Sequence, residues 1–178
     1  MLHGKTVTLR PLTVADAPDT LALRMDVEAN KAFMGYIFPV TEANERRWLE
    51  SLYADGPRRR VDFAIVNRET KEFLGLIAVT DMDALQQRAR FGVFLRREAR
   101  GQGVAPDAMA VFFDYVFRQL NIARVWLEVL ADNAPAVKLY ESFGFVEEGT
   151  MRRHHFQDGV FKDVKIMGLL REEFQTRA

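Results

Sequence analysis

In the run Phe91-Gly92-Val93-Phe94-Leu95-Arg96-Arg97-Glu98-Ala99-Arg100-Gly101-Gln102-Gly103-Val104-Ala105-Pro106, a strand-like segment gives way to two closely spaced glycines and then to a long helical pattern. The first N–H groups of a helix have no internal partners and carry partial positive charge. Glycines let main chain approach a ligand closely. Together they suit an anion, most naturally a phosphate, and Arg100 adds a full charge beside it. From these residues alone a second reading stands: Gly101 and Gly103 make only a tight strand-to-helix turn. Two other phosphate motifs are excluded. A P-loop ends in Lys-Ser/Thr, which does not follow, and a dinucleotide fingerprint needs a third glycine where Pro106 stands.

Downstream, Pro106 to Leu120 carries Met109, Phe112, Val116 and Leu120 at spacings of three and four, an amphipathic helix widened by Phe113 and Phe117. A buried strand is expected over Ala123 to Leu130 and a helix over Asn133 to Phe143, with Gly144 suited to a left-handed cap. Val146 to Phe156 and Val160 to Leu169 flank Asp158-Gly159, a strong hairpin signal. Upstream, Val61 to Asn67 and Glu72 to Asp81 read as an antiparallel pair, with Ala89 to Leu95 the next strand. Thr6 to Arg10 alternates as a first strand ended by Pro11. Val14 to Glu28 reads as a helix capped by Thr13, and a second helix opens at Thr41 and ends near Tyr53 before Gly56-Pro57. The order implies a mixed α+β sheet with helices on its faces.

The chain has 178 residues, 48% hydrophobic, with 25 basic and 25 acidic side chains and no cysteine. This suits one domain spanning 1–178 with a real core. Zero net charge argues against a general nucleic-acid binder, so no DNA partner is expected. The missing thiols remove disulfides, thiolate metal sites and cysteine nucleophiles. No signal-like or membrane-length apolar run is read, so the expectation is a cytoplasmic protein without membrane attachment.

In Asn133-Ala134-Pro135-Ala136-Val137-Lys138-Leu139-Tyr140-Glu141-Ser142-Phe143-Gly144-Phe145, Asn133 and Tyr140 lie two helical turns apart on nearly one face. Taken singly, Asn133 is an ordinary helix cap and Tyr140 a core aromatic. Arg100-Gly101-Gln102-Gly103-Val104-Ala105 followed by Asn-x-x-Ala-x-x-x-Tyr-x-x-x-Gly-Phe resembles the two motifs of the GNAT acyltransferase superfamily. The opening Val7 to Leu12 and the ending Asp158 to Val164 with Met167 resemble the branch holding RimJ/RimL-type ribosomal-protein N-acetyltransferases and spermidine acetyltransferases.

The resemblance implies an acyl-coenzyme A N-acyltransferase fold: a mixed, mostly antiparallel, twisted sheet of about seven strands with about four helices on both faces. It implies acetyl-coenzyme A as acyl donor and no metal. Main-chain amides of Arg100, Gly101, Gln102, Gly103, Val104 and Ala105 would hold its pyrophosphate. Val93, Phe94 and Leu95 would pair with the pantetheine arm, Asn133 would contact coenzyme A, and Tyr140 would protonate the leaving thiolate. Pro106 departs from the pattern by removing one amide donor, although proline suits a first helical turn.

The implied reaction is direct attack of a primary amine on the thioester. A Lys-like amine must give up a proton held at pKa ~10.4, which costs roughly 4.6 kcal/mol at neutral pH, whereas an α-amino group costs about 1 kcal/mol. Related sequences often begin the cofactor strand Ala-Glu-Phe, but here it reads Ala89-Arg90-Phe91. A cation in place of that carboxylate points to an acceptor of low pKa, a protein N-terminus or an amino sugar, with a polyamine as the alternative. Asp26, Glu28, Tyr36 and Arg90 are the acceptor-side candidates, with Glu42 as a further proton relay. A ribosomal protein and a homodimer paired through the late hairpin are the expected macromolecular partners. Two further alternatives are a non-catalytic acyl-coenzyme A sensor and an RNA-associated protein using Arg58-Arg59-Arg60. Phe33 to Phe38 reads as an apolar flap. Trp48 and Trp126 read as packing residues. His154 and His155 point to opposite faces of a strand, so they do not form a metal site together.

Overall fold

The computed structural model describes residues 1–34, 38–53 and 59–175. Tyr36 and Arg58, together with part of the flap, lie outside them. Strands β1 (Leu2–His3), β2 (Val7–Pro11), β3 (Val61–Asn67), β4 (Phe73–Asp83), β5 (Arg88–Leu95), β6 (Arg124–Leu130), β7 (Val146–Gln157) and β8 (Val160–Leu170) form one sheet. Its order is β1-β2-β3-β4-β5-β6-β8-β7. All neighbours are antiparallel except β5 and β6, which are parallel. The eighth strand is β1, whose two residues are too few to show alternation.

The helices are α1 (Ala17–Met25), α2 (Val27–Phe33), α3 (Glu42–Ser51), α4 (Val104–Gln119), α5 (Ala134–Phe143) and α6 (Arg171–Gln175). The helix expected over 14–28 is broken. Val14–Asp16 forms a 3-10 turn closed by the Thr13/Asp16 capping box. At Asp26 the backbone turns extended (ψ 102°) and its carboxylate accepts a hydrogen bond from the Ala29 N–H at 3.0 Å, starting a new helix. The five residues of α6 escape a periodicity reading as β1 does.

Strand alternation sorts the sheet into two faces. Val7, Leu9, Ile65, Ile77, Phe91, Val125 and Leu127 pack against Met109, Phe112, Phe113 and Val116 of α4. On the opposite face Ala64, Val66, Phe73 and Phe94 pack against Ala17, Leu23, Ala29 and Leu49 of α1, α2 and α3. Gly75 stands opposite Leu95, and a Cβ there would lie 2.2 Å from the Phe94 carbonyl oxygen, so only glycine lets β4 lie this close to the end of β5. At the hairpin tip Asp158 (φ 51°) and Gly159 (φ 80°) are both left-handed, as a two-residue turn of this type requires. The sheet, with a packed helical layer on each face, matches the expected α+β class.

Candidate active site

Strands β5 and β6 share only three rungs, Arg88↔Arg124, Ala89↔Val125 and Arg90↔Trp126. Beyond them β5 continues to Leu95 and β6 to Leu130, each held by its other neighbour. The sheet therefore opens into a gap, along which the main-chain groups of β5 facing β6 have no strand partner. Both strands end on a helix start, α4 after β5 and α5 after β6. Carboxyl ends of diverging parallel strands are where open sheets bind ligands.

At the first of these ends, Gly101 (φ 71°) and Gly103 (φ 76°) are left-handed, and a Cβ at either would meet nothing within 4 Å. Gly103 is the N-cap of α4 and supplies no side-chain cap. The carboxylate of Asp107, in the first turn, does not serve its own helix. It accepts the N–H groups of Lys5 (2.9 Å), Thr6 (2.7 Å) and Val7 (3.1 Å) and the Thr6 hydroxyl (2.9 Å). Burial pushes its pKa up, but those hydrogen bonds outweigh burial and bring it below the usual value. The start of α4 is thus anchored to the β1–β2 turn while its leading amides stay open. This open, glycine-lined helix start fits a diphosphate. The Arg100 guanidinium does not reach outward. It donates two hydrogen bonds to the Leu95 carbonyl (3.0 and 3.2 Å) and so straps the turn to the end of β5. Gln102 donates to the Glu98 carbonyl at 2.6 Å, Val104 is buried, and Ala105 is half-buried.

At the second end, Asn133 caps α5. Its side-chain oxygen accepts the Ala136 N–H at 3.3 Å, and its amide lies 3.5 Å from the Ala32 carbonyl of α2. Tyr140 is half-buried, its ring edge-on to Phe91 at 6.3 Å and 5.7 Å from Phe145. Burial pushes its phenol up to about 12. Phe91 is the first β5 residue past the last rung, so Tyr140 stands at the beginning of the gap. Val93, Phe94 and Leu95 follow along it.

The other face carries the expected acceptor wall. Phe33 of α2 stacks on Phe94 (4.6 Å, 2° between planes) and lies 3.5 Å from where a Cβ of Gly92 would be. Asp26 is spent on its cap and faces Arg97 at 3.6 Å. Glu28 pairs with Lys31 at 3.3 Å, and Lys31 also reaches Asp158 at 3.1 Å, tying α2 to the hairpin tip. Glu42 pairs with Arg46 at 2.8 Å. Arg90 is bound to Glu128 of β6 at 2.7 Å and lies 5.5 Å from the Trp126 ring. Phe33 was expected in the apolar flap and does lie over β5, whereas Glu128 was not singled out from the sequence. The alternation of Val125, Leu127 and Val129 puts Glu128 on the opposite face, but its partner depends on the β5–β6 register. His155 lines a cavity of about 320 Å³ between Met25, Lys31, Phe38 and Phe156, whereas His154 is exposed. Among the described residues no helix is long and apolar enough to cross a membrane.

A split parallel pair with a bare helix start at one lip and a phenol beside it defines a coenzyme A-type acyltransferase site. The family profile described as an acetyltransferase (GNAT) domain matches residues 6–146, and the chain belongs to that family. It is an acetyl-coenzyme A-dependent N-acetyltransferase. Spermidine N(1)-acetyltransferase of Vibrio cholerae is 32% identical over 178 residues, covering 97% of both chains. An uncharacterized N-acetyltransferase, p20 of Bacillus licheniformis, is 31% identical over 177 residues with the same coverage. The crystal structure of the spermidine N-acetyltransferase from Vibrio cholerae in complex with CoA and spermine superposes with a TM-score of 0.88. It is 25% identical and covers 96% of this chain and 98% of that one. The two Vibrio cholerae matches are named for the spermidine-acetyltransferase side of the expected branch, and p20 for neither side.

Proposed function

We propose that this N-acetyltransferase acts on a primary amine of the polyamine class. The observation that carries the reading is likeness along the whole length to relatives named as spermidine acetyltransferases, one of them solved with CoA and spermine. It supports the polyamine over the protein N-terminus or amino sugar expected from Arg90.

In this proposal the amides of residues 101–105 hold the diphosphate, the open edge of Val93 to Leu95 guides the pantetheine arm, and Asn133 contacts coenzyme A from the α5 side. Acetyl-coenzyme A supplies the acyl group as a thioester. An N–C bond forms between the free amine and the carbonyl carbon as the C–S bond breaks. One amine proton leaves to solvent, and Tyr140 gives its hydroxyl proton to the departing sulfur and regains one from water. Burial keeps the phenol protonated, and the same desolvation raises the proton affinity of a thiolate beside it. Main-chain N–H groups facing the gap oppose charge developing on the carbonyl oxygen.

The test compares spermidine, an N-terminal peptide and an amino sugar nucleotide as acceptors, with thiol release followed against pH. Spermidine is expected to turn over fastest, with a rate that climbs until about pH 10, because its amines ionise there. Fast turnover of the peptide or sugar, with a plateau near pH 8 and spermidine inert, overturns the polyamine reading.

A further inference from the structure

We propose that Arg90 is a specificity-determining residue. By holding Glu128 it sets the net charge at the closed end of the β5–β6 gap to zero, and so limits how many positive charges an acceptor can bring there. The proposal rests on the amine-acetyltransferase reading but not on which amine is the natural one.

The two side chains leave neighbouring strands on the face that α2 covers. Arg90 sits in the last shared rung, opposite Trp126, and Glu128 lies two residues further along β6, past the point where the strands part. Their contact, Nη2 to Oε2 at 2.7 Å, therefore spans the vertex of the gap. The guanidinium also lies over the Trp126 ring, 5.5 Å from its centre. Phe91, whose ring meets Tyr140 edge-on, follows Arg90 in the same strand, so the cation and the phenol flank one point from opposite faces. Arg90 remains 40% exposed and Glu128 20% exposed at the side chain, so both present to whatever enters.

Three described carboxylates of the helices on this face carry their own cations. Asp26 faces Arg97, Glu28 faces Lys31, and Glu45 is buried against Arg24. A bare Glu128 would attract every added ammonium of an acceptor. Paired with Arg90 it presents a dipole, which a single reactive amine tolerates and a closely spaced second charge does not profit from.

The experiment measures the ratio of kcat/KM for spermidine to that for a monoamine of similar length. Calorimetry of both amines, in the presence of CoA, gives the same ratio for binding. Arg90→Gln leaves Glu128 bare and is expected to raise the ratio about fivefold, while Glu128→Gln leaves Arg90 bare and lowers it about fivefold. Arg90→Lys keeps the charge and leaves the ratio within about twofold, and added salt shrinks both shifts. A purely structural pair would change both amines alike, leaving the ratio fixed. A fixed ratio, or one moving the same way in the Gln variants, overturns the proposal. If the wild type acetylates no amine, the amine-acetyltransferase reading fails, and the calorimetric ratio still decides the role of Arg90.

Discussion

The two helices that begin at the lips of the gap start in opposite ways. At α5 the chain provides its own cap: Asn133 accepts the Ala136 N–H, and Gly144 (φ 97°) closes the far end. At α4 the cap residue is Gly103, which has no side chain to offer, and the nearby carboxylate of Asp107 is turned away to the β1–β2 turn. A helix whose first amides are satisfied internally gains stability and loses affinity for anions. One whose first amides are left bare does the reverse. Under the proposed function, this difference gives the α4 lip the larger share of the grip on coenzyme A and leaves Asn133 the smaller one.

Substitutions at the two lips should separate these roles. The largest effect is expected for Gly103→Val. A Cβ there meets nothing within 4 Å, so the main cost to the fold is that of a left-handed non-glycine residue, about 1–3 kcal/mol. Acetyl-coenzyme A affinity, read by calorimetry, should fall about a hundredfold, because several charge-assisted amide contacts go with the lost space. Unchanged affinity in a folded variant removes α4 as the anion site.

Tyr140→Phe comes next. It should lower kcat about tenfold to a hundredfold with the acetyl-coenzyme A affinity intact. The phenol also predicts a pH effect. Its folded value, about 12, lies above the ordinary value of 10.0, so the folded state keeps the proton longer than the unfolded chain. Stability from this group is complete below pH 10 and declines between 10 and 12, and melting curves of Tyr140→Phe should lack that decline.

Asp107→Asn weakens the anchor of α4, at a cost of about 1–2 kcal/mol by denaturant unfolding. Because the native carboxyl titrates below its ordinary 3.8, its contribution is present above that pH and is lost as acid protonates it. The variant should therefore be less sensitive than the wild type as the pH falls below 3.8. The smallest effect is Asn133→Ala, with about 1 kcal/mol lost in stability and an affinity change of only a few-fold. An affinity loss there as large as that of Gly103→Val would make the two lips equivalent and end the contrast.

Local chemistry accounts for what was legible in the chain. Asp158-Gly159, Gly144, the Thr13/Asp16 box and the α4 stripe each specify their own geometry within a few residues, and the structure carries all of them. The break at Asp26 also had its signal, an N-cap residue ahead of Glu28, but it was masked by an apolar pattern that ran through it. What stayed hidden depended on distance along the chain. Glu128 lies 38 residues from Arg90, and nothing local states that three rungs of a parallel ladder bring them together. Arg100 illustrates the converse: its motif suggested an outward charge, whereas the Leu95 carbonyl, five residues away, claims the guanidinium.

Gly75 gives the gap walls of unequal stiffness. Behind Phe94 and Leu95 two backbones are in direct apposition, with a Cβ excluded at 2.2 Å, so that side cannot yield. Over the face of the sheet, stacked on Phe94, lies the ring of Phe33, a side chain with rotatable bonds and 43% of its area open to solvent. Under the proposed function, an acyl chain lying along Phe94 would meet main chain that cannot move on one side and this rotatable ring over the face of the sheet.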